Sequence, residues 1–423
     1  MMVFKDYSKK SLWNLSIIGL YIILIYLPDI TRYKNIVMGL IGATALWYLV
    51  RDFKTICKIF KNNLAFSLLF LLLVIGYSIL ISVEPSISIK EINKPILNGL
   101  LLFAVTFPIV LYKEKPTDIA KMVMVAFAIG LLVIMAKELV QYYFEIQDNL
   151  KIFTWQSQQK HRESTYALLF FFPILFSIYS LIKKKNFFYI LYLLLFSIPF
   201  FFLIFSTLAR GAWLALIFIC LLIIMINRYW KLAMIGVFSS LLIIVSLTQS
   251  DFFLENTGSY LNNKLTQIDS GSRLGNGTQG SALDLILKKP IQGYGYGNQI
   301  YHKIYNENLK EYPNWEFRKS KGPHNSFLAF WFAGGILGLI GILYFCASII
   351  AQGIQLIRKN QGIIRQAALV LLMSFLGVYV LRGLFENAYI NQVGILVGLM
   401  LALRYSLLNN LSTTVDTDNN RNI

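Results

Sequence analysis

Apolar residues in this chain fall in runs of membrane-crossing length, and the polar collars between them are alternately rich and poor in lysine and arginine. A helix needs ~20 mostly apolar residues to cross a bilayer. On that ruler the pattern predicts spans at 12–28, 35–50, 64–82, 97–112, 119–141, 165–182, 187–205, 211–227, 231–247, 325–350, 364–382 and 389–407. The runs are continuously apolar, whereas the strands of a membrane barrel alternate over ~10 residues. The fold class is therefore all-α, an integral membrane protein of about twelve helices with both termini on one side.

Composition supports this reading: 57% of the 423 residues are hydrophobic and 14% charged, more apolar mass than one soluble core would bury. The net charge of +18 raises the question of nucleic acid. Most of the excess, however, sits in collars next to spans: Lys5, Lys9 and Lys10; Arg51, Lys54, Lys58 and Lys61; Lys113, Lys115 and Lys121; Lys183 to Lys185; Arg228 and Lys231; Arg358, Lys359 and Arg365. Basic collars are held on the cytoplasmic side and contact anionic lipid, so the expected partners are membrane lipids and not nucleic acid, and both termini are expected in the cytoplasm. The first run spans without a small-residue cleavage site and reads as a retained helix. Cys57 falls in a cytoplasmic loop and Cys220 and Cys346 within spans, which leaves no disulfide framework outside.

One connection stands apart. Residues 248–324, between the ninth and tenth spans, form a polar stretch far longer than the usual ~4 to 6 residue link. The organisation is thus 1–247 with nine spans, 248–324 an outer loop module, 325–408 with three spans, and 409–423 a polar cytoplasmic tail expected to fray. Within the loop, "QGSALDLILKKP" predicts an amphipathic helix with Ser281 as N-cap and Pro290 as its stop. Trp315 and five tyrosines supply aromatic mass that a disordered tether lacks. No internal repeat is visible, which disfavours a transporter built of paired halves.

The short loops on the opposite side hold fewer basic residues than the collars, and those few need a reason. Arg210, in "STLARGAW", opens the eighth span, and Gly211 beside it permits close approach of a backbone or ligand. An arginine there either faces a cavity or partner or snorkels to headgroups. Arg162 precedes the sixth span, and Arg382, in "YVLRGLFENAY", is again followed by glycine; interfacial anchoring is the alternative for both. Arg273 precedes the loop helix. After it, Gly293, Gly295 and Gly297 alternate with Tyr294 and Tyr296 in a turn expected to pack near the substrate, or to be a plain tight turn. No G-K-[ST] follows, so no nucleotide is expected. His324 ends the loop, and Asn325 or Ser326 can cap the helix that starts there, whose N-terminus suits anions. A histidine exchanges a proton near neutral pH, although a structural role fits a lone one as well. His161 and His302 show no metal-ligand spacing with it, and the one D-x-D, Asp416 to Asp418, lies in the tail; no metal and no cofactor are expected. Arginines together with a histidine suit a departing diphosphate, because guanidinium grips phosphate oxygens in pairs and stays charged.

In sequence order, "ARGAW" at a span start, a long outer loop carrying "R…P-x-x-G-x-G", and "HNSFL" opening the next span resemble the O-antigen ligase and polymerase superfamily, and most closely its O-antigen ligases. The layout is similar over nearly the whole chain, with the specific motifs between about 206 and 330. That resemblance implies a metal-independent, inverting glycosyltransferase of the GT-C kind. It would move O-antigen from undecaprenyl pyrophosphate to a sugar hydroxyl of lipid A–core oligosaccharide at the periplasmic face of the bacterial inner membrane. It also assigns parts: His324, Arg210 and Arg273 as catalytic residues, with Arg162 in a looser match at the substrate; Arg382, Gly211, Asn325, Tyr294 and Tyr296 are expected around the substrate from the residue patterns above. An O-antigen polymerase using the same donor is the nearest alternative; a polysaccharide or lipid transporter is the other.

Overall fold

The computed structural model describes residues 7–147, 160–182, 187–207, 209–230, 273–386, 388 and 390–419, and every regular element among them is a helix. In chain order these are α1 Lys9–Leu24, α2 Thr31–Ile59, α3 Asn63–Leu80, α4 Pro85–Val110, α5 Pro116–Gln147, α6 Ser164–Leu181, α7 Phe187–Ser206, α8 Arg210–Asn227, α9 Thr278–Lys288, α10 Asn298–Asn308, α11 Ser326–Lys359, α12 Gly362–Leu384 and α13 Asn391–Asn419. Among the described residues nine helices, α2 to α6, α8 and α11 to α13, are long and apolar enough to cross a membrane. They answer to nine of the predicted spans. The first predicted span is the shorter α1, of 16 residues, the seventh is α7, and the ninth (231–247), like the first part of the long loop, lies outside the described residues. Leu73, Leu80, Trp47 and Val50 point outward, leaving the apolar surface that acyl chains cover.

Two boundaries differ from the hydropathy reading. α4 starts at Pro85, well before the apolar run at 97, so Lys90, Glu91 and Lys94 ride on a helix. Its middle, Asn93–Leu101, widens to a π-type turn around Pro95, which has no N–H to give and crowds the preceding turn. At the other end of the chain α13 continues to Asn419, so the tail expected to fray is helical that far. Once a packed span has nucleated a helix, each further residue adds a hydrogen bond. Glycine decides how closely α13 meets α4: Gly394 and Gly398 lie against the Leu100 and Phe103 carbonyls, where a Cβ would collide.

The described part of the long loop is folded on its own core. Leu285 and Ile286 of α9 pack with Ile300, Tyr301 and Ile304 of α10 and with Trp315, whose Nε1 donates to Asp284 Oδ2 at 2.8 Å. Tyr312 stacks on that indole at 4.5 Å. Ser281 is not the predicted cap. Gly277 holds that place and Ser281 sits a turn inside, its hydroxyl donating to the Gly277 carbonyl at 2.7 Å; Pro290 does follow just after the last turn. Two of the ties between the module and the bundle hold its glycine-rich turn and the start of α10. Glu91 of α4 accepts from the first N–H groups of α10, including Gln299 at 3.1 Å. The other tie is made at a break in α11 at Gly334–Gly335. Gly335 takes φ 58° and ψ −149°, a region open essentially to glycine. The break frees the carbonyls of Phe332 and Ala333, and these accept from the N–H groups of Tyr294 and Gly295, each at 2.9 Å. The glycine-rich turn is therefore a strap that docks the module onto a broken helix.

Candidate active site

The end of α12 and the connection that follows it, residues 382–386 and 388, gather side chains from several segments distant in sequence. The Leu384 carbonyl accepts from Gln279 of α9 at 2.9 Å and from Asn325 at 3.2 Å. Arg273 donates to the Phe385 carbonyl at 3.3 Å, and the Ala388 N–H donates to Ser326 Oγ at 2.9 Å. A Cβ placed on Gly211 would lie 3.3 Å from that of Phe385, so the start of α8 abuts the same connection. The Glu386 carboxylate accepts from Arg162 at 3.1 Å, from the Tyr166 hydroxyl at 3.1 Å and from Arg382 at 3.2 Å. Arg382 is fully buried, its guanidinium 3.3 Å above the Tyr166 ring. Segments far apart in sequence are thereby brought to one place: Arg162, Gly211, Arg273, Asn325, Arg382 and the backbone of His324, whose carbonyl also accepts from Gln279 at 3.3 Å.

His324 owes its position to two neighbours. Pro323 precedes it, and Asn325 caps α11, its Oδ1 accepting from the N–H groups of Phe327 and Leu328 at 2.9 and 3.1 Å. Between them His324 takes φ 45°, the left-handed region that non-glycine residues seldom enter. Asn325 gives its oxygen to the cap and its amide to Leu384, so its printed bonds are those of a joint between α11 and the connection. Burial pushes the imidazole below its ordinary value; Arg162, Arg273 and Lys321 push the same way, and Glu386 opposes them. At neutral pH the ring is uncharged and able to take a proton. Burial raises the Glu386 carboxyl, but Arg382 and Arg162, aided by bonds from Arg382 and Tyr166, outweigh it and hold the group below the usual carboxylate range.

Arg210 is the first residue of α8 and is held from behind. Trp213 donates to the Ile204 carbonyl at 3.1 Å, closing the turn between α7 and α8. On α5, Glu138, Tyr142 and Glu145 share one face at a spacing of four and three residues. The two carboxylates meet the ring nitrogens of His161 at 2.5 and 3.2 Å, and Tyr142 stacks on the ring at 3.8 Å while pairing with Ser206 Oγ at 2.7 Å. This brace fixes both the residue before Arg162 and the end of the helix leading to Arg210. Tyr294 and Tyr296 lie elsewhere. Tyr294 stacks on Phe332 at 4.8 Å and donates to the Leu285 carbonyl at 3.0 Å; Tyr296 meets Phe330 edge-on at 6.0 Å. Both belong to the strap, apart from the side chains bonded to 384–388.

Glu386, Tyr166, Gln279 and the His161 brace are absent from the sequence-level candidates. Two signals pointed to them: Glu386 stands four residues after Arg382, a helical pairing distance, and acids inside an apolar span are functional by default.

A family profile described as O-Antigen ligase matches residues 191–343, the stretch that holds Arg210, Arg273 and His324. Over 397 residues the chain is 37% identical to the O-antigen ligase of Salmonella typhimurium (strain LT2), covering 93% of this chain and 96% of that one. With the similarity extending over nearly the whole of both chains, this chain belongs to the O-antigen ligase family of membrane glycosyltransferases.

Proposed function

We propose that this multi-pass inner-membrane enzyme joins O-antigen to lipid A–core, taking the polysaccharide from undecaprenyl pyrophosphate at the periplasmic face, with inversion and without a metal ion. The observation that carries the reading is the convergence of Arg162, Arg273 and Arg382 on one connection, which the start of α8 abuts at Gly211 and His324 adjoins through Gln279. Arg210 and Arg273 neutralise the diphosphate as charge builds on it, with Arg162 and Arg382 completing the positive rim. His324 takes the proton of the acceptor hydroxyl. The oxygen's electron pair forms the new bond to the anomeric carbon from the face opposite the phosphate. The old C–O bond breaks, and its pair leaves with undecaprenyl pyrophosphate. Gly211 and Asn325 keep the connection close to the reacting groups, and the strap with Tyr294 and Tyr296 seats the module beside the donor.

Orientation follows from the collars. With the twelve spans read from the sequence alternating in direction, the lysine-rich connections fall on one side and the candidate site on the other, so a cytoplasmic N-terminus leaves the site in the periplasm.

The test is reconstitution of purified protein in detergent with lipid-linked donor, lipid A–core and a chelator. Capped product is expected, and His324→Ala is expected to lower its rate about a hundredfold, ~3 kcal/mol in the barrier. Product that needs a divalent ion would overturn the metal-free mechanism. In a deletion strain, single-repeat caps in place of bare core with accumulated lipid-linked polymer would point to the polymerase instead.

A further inference from the structure

A carboxylate is the wrong charge for a seat that grips diphosphate, yet Glu386 stands in the middle of this one. We propose that Glu386 is a positioning residue for the transfer: it stays in place through the reaction, holds Arg162, Arg382 and Tyr166 around the donor, and supports the charge that His324 acquires. The inference rests on the reading of His324 as the proton acceptor.

Geometry favours a fixed part over a place-holder that departs when the donor arrives. Arg382 is fully buried, and among the described residues its Nε and Nη1 have no hydrogen-bond partner. Glu386 is its anionic contact, at 3.2 Å. Withdrawing the carboxylate would leave a buried guanidinium uncompensated, which is strongly unfavourable. Arg162 differs: its side chain is 39% exposed and gives Nη2 to Glu386, so the remaining guanidinium face can meet a second anion. Glu386 can thus keep Arg382 neutralised while it aims Arg162, and Tyr166 is locked from both sides, its hydroxyl on Glu386 and its ring under Arg382.

The second half concerns the proton. When the acceptor O–H bond breaks, its proton passes to the His324 imidazole and the oxygen's pair goes to the anomeric carbon. An imidazolium then stands near Arg162, Arg273 and Lys321, all of which disfavour it. Gln279 bridges the His324 and Leu384 carbonyls at 3.3 and 2.9 Å, which sets His324 beside the connection that carries Glu386, the acidic one of the charged groups bearing on it; the basic ones come from the α6 entry, the loop and the residues before His324 itself. A structural pin alone would have no effect on that proton.

The experiment is a pH–rate profile of kcat and KM for wild type, Glu386→Gln, Glu386→Asp and His324→Ala, in detergent with lipid-linked donor and core acceptor, alongside thermal melts. Glu386→Gln is expected to lower kcat by about tenfold to a hundredfold. Its acid limb is expected to move to lower pH, because Arg162, Arg273 and Lys321 then act on His324 unopposed. Glu386→Asp, one methylene shorter with the charge kept, is expected to lose rate but keep the acid limb at the wild-type position. If Glu386→Gln gives no cooperative melt, the Asp variant decides: a displaced limb despite retained charge overturns the inference. A Glu386→Gln enzyme with the wild-type limb overturns it too, provided His324→Ala has abolished that limb. If instead His324→Ala retains the limb, the proton-acceptor reading itself fails.

Discussion

At the collar end of the bundle, much of the positive charge is carried by lysines that stay partly in water. Lys113 reaches Asp52 at 2.9 Å with 52% of its side chain exposed, and Lys121 stands 3.7 Å from Asp118. The polar bonds there are local ties between helices: Tyr7 to Asp118 at 2.8 Å, Asn14 to Glu114 at 2.8 Å and Ser406 to the Glu114 carbonyl at 2.5 Å, around a cleft of about 660 Å³. At the rim end the charge is carried by arginine and taken inside. Arg382 is fully buried, stacked on an aromatic ring and paired with a carboxylate that is itself 17% exposed. An ammonium is compact and strongly hydrated, which suits a collar that sets topology; a guanidinium is weakly hydrated and planar, which suits a buried fork facing oxyanions. Positive charge is left partly in water at one end and drawn into a buried network at the other.

That contrast can be broken most severely at Arg382. Arg382→Ala leaves Glu386 with less than its full set of partners in a buried site and removes the contact with Tyr166, so melting in detergent is expected to show a loss of about 3–5 kcal/mol. A loss no larger than that of a surface pair would mean that the buried network does not hold the rim. Exchanging the two cations sharpens the comparison. Arg210→Lys keeps charge but loses the fork and is expected to lower the transfer rate about a hundredfold, ~3 kcal/mol, whereas Lys121→Arg at the collar is expected to leave capped lipopolysaccharide unchanged. Equal tolerance of both exchanges would remove the distinction between the ends.

Next in size is the strap. Gly335→Ala puts a side chain at φ 58° and against the Ile291 carbonyl, and a loss of about 1–3 kcal/mol is expected together with easier proteolysis of the module. An unchanged digestion pattern would show that the module is held by other contacts.

The smallest effect is the acid response. The Glu386 carboxyl is depressed in the folded protein, so its contribution is full above the ordinary carboxylate value and is lost as pH falls through the depressed one. His324 is depressed as well. Its folded form binds protons less readily than the unfolded chain, so its contribution is lost as pH falls from the ordinary imidazole value, ~6.5, toward the lowered one. Melting temperature is expected to fall in two ranges on acidification, and Glu386→Gln should erase the lower one. A Glu386→Gln curve parallel to wild type throughout would contradict this assignment.

The sequence by itself determined the helical class and the places of most spans, and singled out the arginines beside them, because apolar runs of membrane length and charges at their ends are one-dimensional signals set by the solvent they face. It also brought forward "ARGAW", the loop arginine and "HNSFL", since these stand out against an apolar background. Only the tertiary structure decided what these residues meet. Glu386 has only Arg382 as a neighbour in sequence until the start of α6 brings Arg162 and Tyr166 onto it from more than two hundred positions away. The turn at 293–297 reads equally as a ligand loop or a plain turn until the break in α11 offers it two unpaired carbonyls. Membrane insertion is governed by each segment's own transfer free energy, whereas the site is made by pairing buried charges across segments, and such pairing leaves no periodic trace along the chain.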